Sequence, residues 1–150
     1  MEKALVFDMD GTIADLYGVH GWLNYLQAQD VTPYEVAEPL YNMTELCNLL
    51  NNLKACGWKI IIVTWLAKAS TTDYDNKIRV AKKEWLDRHN FPYDELHMVK
   101  YGRTKADCTR NQRGYQILID DNANIRKGWH LGSTIDATRN IIEPLKQLLH

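Results

Sequence analysis

Ala4-Leu5-Val6-Phe7-Asp8-Met9-Asp10-Gly11-Thr12 is the stretch on which the reading of this chain turns. Its first four residues are apolar and short-run, as expected of a strand covered on both faces. The run then breaks into two carboxylates, Asp8 and Asp10, placed where strand gives way to loop. Gly11 lets the backbone turn sharply at that point, and Thr12 can hydrogen-bond to hold the turn.

Working outward, four more short apolar runs are strand candidates: Ile60–Val63, Leu96–Val99, Ile117–Ile119 and Ser133–Ile135. Helical patterns lie between them. Leu46, Leu49, Leu50 and Leu53 follow the i, i+3, i+4, i+7 spacing, with Gly57 as a natural stop. Tyr74, Ile78, Ala81 and Trp85 make a second stripe, ended by Asn90 and Pro92. Shorter helices are expected over Thr104–Arg110 and Asn122–Trp129, and a last one near Glu143, where Pro144 suits a first turn. Strands alternating with helices predict an α/β fold: a three-layer, Rossmann-like arrangement with a central parallel sheet of about five strands flanked by helices. Ligands in such sheets bind outside the carboxyl ends of the strands, so the residues at those ends carry the functional argument.

Those ends are rich in phosphate chemistry. The first gives Asp8-Met9-Asp10-Gly11-Thr12 and the second Thr64; the third is followed by Gly102-Arg103-Thr104-Lys105, and the fourth ends in Asp120-Asp121-Asn122. This set, in this order, resembles the haloacid dehalogenase superfamily of phosphatases over the framework from residue 3 to about residue 125. Asp8-Met9-Asp10-Gly11-Thr12 matches the first motif, Thr64 the second, Lys105 the third and Asp120-Asp121 the fourth. Lys100 competes for the third role; Lys105 is preferred because it opens a helix ahead of the fourth strand, where the family places this lysine.

The resemblance implies a mechanism. Asp8 would attack phosphorus in line, forming an aspartyl-phosphate that water then hydrolyses. Asp10 would protonate the leaving oxygen and then act as base for the water. Family members that are phosphatases carry an acid at this second position and the dehalogenases do not, so Asp10 favours ester hydrolysis. Magnesium would be held by Asp8, the backbone carbonyl of Asp10, and Asp120, with Asp121 helping through water or by orienting Lys105. Thr64 would donate to a phosphoryl oxygen, and Lys105 would balance charge between nucleophile and phosphate. Asp121 also reads as an N-cap for the helix from Asn122.

Between the first motif and the helix leading to the second strand lies an insert, residues 15–43, where this superfamily places a substrate-selecting cap. It is long enough for one or two helices, a small lid within one 150-residue domain. It holds Tyr17, Trp22, Tyr25, Tyr34 and Tyr41 with Asp15, Asp30, Glu35 and Glu38, and no Lys or Arg. That composition argues against gripping a polyanion. Trp22, Tyr25 and Leu26 read first as an apolar stripe packing a small helix onto the core. Substrate contacts are expected from Gly11, Thr12, Trp65 and Lys68, from the lid's Tyr17 and Trp22 through stacking, and from Tyr101 and Arg103 where they reach that face.

An aromatic lid points to a nucleotide or other small phosphomonoester, a pattern similar to the five-prime deoxyribonucleotidases. The phosphatase part of phage polynucleotide kinases, acting on three-prime phosphates of nucleic-acid ends, is the rival reading; Lys100, Arg103, Lys105, Arg110 and Arg113 would suit it. A non-catalytic phosphate- or nucleotide-binding regulator on the same fold is the alternative of another class. The insert's aromatics could also bury against a second subunit in a homodimer.

Bulk properties add constraints. A formal charge of -1 gives no sign of a nucleic-acid or membrane partner beyond an end-phosphate substrate. Cys47, Cys56 and Cys108 lack Cys-x-x-Cys spacing and read as reduced thiols of a cytoplasmic protein. No apolar run approaches the roughly 20 residues that span a bilayer. The five histidines show no metal-ligand spacing.

Overall fold

Local sequence rules account for the order of elements. The structure, a computed structural model, describes residues 2–150. Regular structure opens with β1 (Lys3–Phe7) and passes through a tight turn in which the Thr12, Ile13 and Ala14 amides all bond the Met9 carbonyl. The excursion that follows runs through β2 (Ala14–Asp15), α1 (Trp22–Gln27), α2 (Thr32–Val36) and β3 (Glu38–Pro39), and β2 and β3 pair antiparallel to close it. α3 (Met43–Ala55) starts where the Asn42 side chain accepts the Glu45 amide at 3.0 Å, and Gly57 at φ 97° ends the turn after it.

β4 (Trp58–Trp65) leads to α4 (Thr72–Arg88), whose Thr71 hydroxyl accepts the Tyr74 amide at 3.2 Å. Next come β5 (Glu95–Val99), α5 (Lys105–Thr109), β6 (Tyr115–Asp120), α6 (Ala123–Lys127), β7 (Thr134–Asp136) and α7 (Ile142–Lys146), which has Pro144 in its first turn. Each strand expected from an apolar run is present. Most are longer than the run, because polar flanks such as Lys3 and Asp120 share the ladder although they add nothing to the apolar pattern.

The five long-range strands form one parallel sheet in the order β5-β4-β1-β6-β7. Successive side chains point to opposite faces and separate the core into layers. Leu5 and Phe7 join Ile60, Ile62, Ile117 and Ile119 on one face, under α3 and α7. Ala4 and Val6 join Ile61, Val63 and Leu118 on the other, with Ala106 and Trp129. Burying each large side chain stabilises the fold by about 1.5–3 kcal/mol, so β1, apolar on both faces and central, anchors both layers.

α4 carries the lid. Tyr34 and Leu16 pack with Leu66, Tyr74, Ile78 and Ala81 in a third apolar cluster. Polar ties reinforce it: Tyr74 Oη donates to the Asp30 carbonyl at 2.9 Å, Trp85 Nε1 to the Ala37 carbonyl at 2.7 Å, and an Arg88 guanidinium nitrogen to the Glu35 carbonyl at 2.9 Å. The ties favour α2. α1 contains no buried residue, so Trp22 and Tyr25 do not form the core-packing stripe that their spacing predicted; of that trio only Leu26 packs on the third cluster. Tyr41, also counted with the lid's aromatics, instead receives the Ile141 amide and donates to the Arg139 carbonyl, each at 3.3 Å. No helix among the described residues is long and apolar enough to cross a membrane.

Candidate active site

The register of the sheet brings the chemistry to one edge. Phe7 lies opposite Ile62 and Ile119, so Asp8, one residue further, stands level with the ends of β4 and β6, where Thr64 and Asp120 sit. Asp8 is pinned from two sides: Lys105 Nζ donates to its Oδ1 at 2.7 Å, and the Thr12 hydroxyl donates to its Oδ2 at 3.0 Å. Lys105 also donates to Asp120 Oδ2 at 2.8 Å, while Asp120 Oδ1 accepts the Asn122 amide at 2.9 Å. Of the two lysines considered for this place, Lys105 is buried within the site and Lys100 is exposed.

Asp121 does not touch Lys105, which is oriented by Asp8 and Asp120 instead. Nor does Asp121 cap α6, since the Asn122 side chain accepts the Asn124 and Ile125 amides. Asp121 lies beside Thr12, whose hydroxyl is 3.3 Å from its Oδ1. Gly11 makes room for this arrangement. It sits at φ 81°, and an added Cβ would strike the Asp121 carboxylate and lie 3.0 Å from the Tyr17 ring.

Asp8, Asp120 and Asp121 each offer a carboxylate oxygen, all within 4.8 Å of one another. Burial, then the Asp8 charge, raises Asp120 above the usual carboxylate range. Burial, a hydrogen bond to Asp8 and the Asp8 charge push Asp121 up to about 7. Lys105 is the cation in contact with Asp8 and Asp120: burial works against its charge, yet the two carboxylates outweigh burial and hold its pKa above the ordinary lysine value. Three crowded carboxylates against one ammonium leave an excess of negative charge. An oxygen-only cluster with that excess fits a hard divalent cation such as magnesium. The Asp10 carboxylate is not part of the cluster.

Asp10 is instead held by a residue that sequence reasoning missed. Lys82 of α4 is fully buried, and its Nζ donates to Asp10 Oδ2 at 2.9 Å, Thr64 Oγ1 at 2.7 Å and the Trp65 carbonyl at 2.8 Å. A signal was present: Lys82 lies four residues after Ile78 and three before Trp85, on the face of α4 that goes inward. Burial raises the Asp10 pKa, the Lys82 ammonium opposes it, and the Asp8 charge adds to it.

Above these groups is a cavity of about 490 Å³ lined by Asp8, Asp10, Thr64, Lys105, Asp120 and Asp121 at its polar end. Its walls are aromatic. Tyr17 and Trp22 of the insert meet edge to face at 5.0 Å, and Trp65 and Tyr101, which also line the cavity, pack at 5.0 Å. Trp65 is fixed by its Nε1 donating to the Arg103 carbonyl at 2.8 Å, and Lys105 Nζ lies 5.5 Å from its ring. Lys68 also lines the cavity. Gly11 and Thr12, expected at the substrate, do not: they lie beneath, shaping the loop that carries Asp8 and Asp10. The basic set Lys100, Arg103, Lys105, Arg110 and Arg113 does not assemble into one surface. Arg113 lies with Glu2, Lys3 and Lys59 at the opposite end of the sheet, and Lys105 is spent inside the site.

Comparison with known proteins adds a likeness of fold. No family model and no curated protein sequence matches the chain. Among solved structures, the D,D-heptose 1,7-bisphosphate phosphatase from Burkholderia thailandensis superposes with a TM-score of 0.58 at 10% sequence identity, over 99% of this chain and 99% of that one. The likeness covers the whole chain and establishes a Rossmann-like α/β fold, here a five-stranded parallel sheet flanked by helices.

Proposed function

We propose that this chain is a phosphomonoester hydrolase working through Asp8. The observation that carries the reading is Asp8 at the floor of an aromatic-walled cavity, bonded to Lys105 at 2.7 Å, with Asp10 lining the same cavity. The Asp8 carboxylate attacks phosphorus, the ester P–O bond breaks, and the leaving oxygen takes the Asp10 proton. Water then gives a proton back to Asp10 as its oxygen attacks phosphorus, releasing phosphate and freeing Asp8. Thr64 and Lys105 face the phosphoryl oxygens as donors. Asp8, Asp120 and Asp121 would hold magnesium, with the backbone carbonyl of Asp10 as a further oxygen. When bound, the ion neutralises the repulsion between a phosphate dianion and an anionic nucleophile.

The walls favour a small phosphomonoester with a flat leaving group, a nucleotide above all. Stacking on an aromatic ring contributes about 1–3 kcal/mol per base, and Tyr17, Trp22, Trp65 and Tyr101 line the cavity. Arg113 at the far end of the sheet and Lys105 buried inside the site weaken the support that nucleic-acid ends would have drawn from a basic surface.

The test is phosphate release with magnesium from p-nitrophenyl phosphate, nucleoside and deoxynucleoside monophosphates, sugar phosphates and a three-prime-phosphorylated oligonucleotide. Nucleotides are expected to be preferred, and Asp8→Asn to abolish release from every substrate. Release unaffected by Asp8→Asn would overturn the mechanism, and preference for the oligonucleotide would overturn the substrate class.

A further inference from the structure

Lys82 presents an unusual combination: a lysine with no solvent exposure whose acceptors are two side chains of the site and the backbone between its walls. Lysine is almost never fully buried unless paired, because desolvating its ammonium is costly. Here all three N–H donors are used, on Asp10 Oδ2, Thr64 Oγ1 and the Trp65 carbonyl. The Tyr34 ring of the lid covers the ammonium, its centroid 5.2 Å from Nζ. Lys82 does not itself line the cavity, whereas Asp10, Thr64 and Trp65 do.

The bonds constrain what each partner can do. Asp10 gives one oxygen to Lys82, and its other oxygen, Oδ1, makes no hydrogen bond among the described residues. Thr64 Oγ1 accepts from Lys82, so its own hydrogen must be donated elsewhere, and no protein acceptor among the described residues takes it. One ammonium therefore fixes a carboxyl with a spare oxygen and a hydroxyl with a spare hydrogen, both beside the same cavity. We propose that Lys82 is a positioning residue: from behind the site it aims Asp10 at the leaving-group oxygen and turns the Thr64 hydroxyl toward the phosphoryl group. This inference rests on the phosphomonoesterase reading above.

The experiment compares two leaving groups. p-Nitrophenolate departs without a proton, whereas an alkoxide such as that of β-glycerol phosphate needs one, so only the second ester depends on a well-aimed Asp10. Wild type, Lys82→Met, Asp10→Asn and the double variant are assayed for kcat on both esters with magnesium, after a cooperative melt confirms folding. Lys82→Met is expected to lose about 100-fold on the alkyl ester and less than about 10-fold on p-nitrophenyl phosphate. In the Asp10→Asn background the same substitution is expected to change both esters alike. If Lys82→Met does not fold, Lys82→Gln, which keeps N–H donors without the charge, is judged on the same comparison. Equal losses on the two esters, with wild type active, would overturn the positioning role and leave the phosphomonoesterase reading standing. A wild type inactive on both would overturn that reading and this inference with it.

Discussion

Melting the metal-free protein at two pH values tests the carboxylate cluster. Asp121 titrates at about 7 in the folded chain against an ordinary 3.8. Between those values the folded chain holds a proton that the unfolded chain has released. The resulting stability is fully present below the unfolded value and is lost as pH rises through the folded one. From about pH 5 to about pH 8, some two units of that interval are crossed at about 1.4 kcal/mol each, or about 2.7 kcal/mol at full value. Asp121 is partly exposed, and solvent screening reduces this to about 1–2 kcal/mol. For a chain of this size that is a fall in Tm of about 3–6 °C.

Asp10 and Asp120, also raised, act in the same sense. His89, lowered by burial and by Arg88, acts in the opposite one, since stability grows as pH climbs past its folded value. The measurement is therefore a difference between wild type and Asp121→Asn, both containing His89, by circular dichroism with chelator at the two pH values. Wild type is expected to lose about 3–6 °C more than the variant between them. Magnesium, which requires the ionised carboxylates, is expected to raise the wild-type Tm more at the higher pH. Equal pH dependence in the two proteins, or equal magnesium effects at the two pH values, would refute the account of this cluster.

Two substitutions probe the surroundings. Gly11→Ala forces a Cβ into the Asp121 carboxylate at a positive φ, and is expected to cost about 1–2 kcal/mol in a denaturant melt while reducing kcat at least about 100-fold, because the loop carrying Asp8 and Asp10 must shift. Retention of full activity would show that the loop tolerates displacement. Trp65→Ala removes one aromatic wall, and is expected to raise KM for a nucleotide by about 10-fold with little change for an alkyl phosphate, measured by steady-state kinetics. An equal rise for both would mean that Trp65 shapes the phosphate end instead.

The centre of the sheet was legible because β1, β4 and β6 are buried on both faces, so each writes an uninterrupted apolar run. The acidic and hydroxyl residues of the site were legible because they fall directly after those runs. Lys82 was not, since it comes from the middle of a helix and reaches the site sideways; its mark was a lysine on an apolar face, which a helical pattern absorbs as a surface residue. The apparent basic cluster failed for the converse reason: neighbours in sequence from Lys100 to Arg113 are carried to opposite ends of the sheet by α5. Orienting Lys105 and capping α6 fell to residues other than Asp121, because Asp120 takes the bond to Lys105, Asn122 takes the cap, and Asp121 lies beside Thr12.

The uneven fastening of the insert has a dynamic meaning. α2 is held to α4 by buried rings and by bonds to the backbone on either side of it, whereas α1, six residues long, buries none of its side chains. A helix of that length has little stability of its own and opens at a small fraction of the free energy needed to unfold the domain. The part of the cavity wall that bears Trp22 thus rests on one loosely seated turn and a half of helix, whereas Tyr34, which covers Lys82, belongs to the firmly packed part. On the proposed function, substrate would come and go without wetting the ammonium behind the site, and turnover would leave intact the arrangement that holds Asp10 and Thr64.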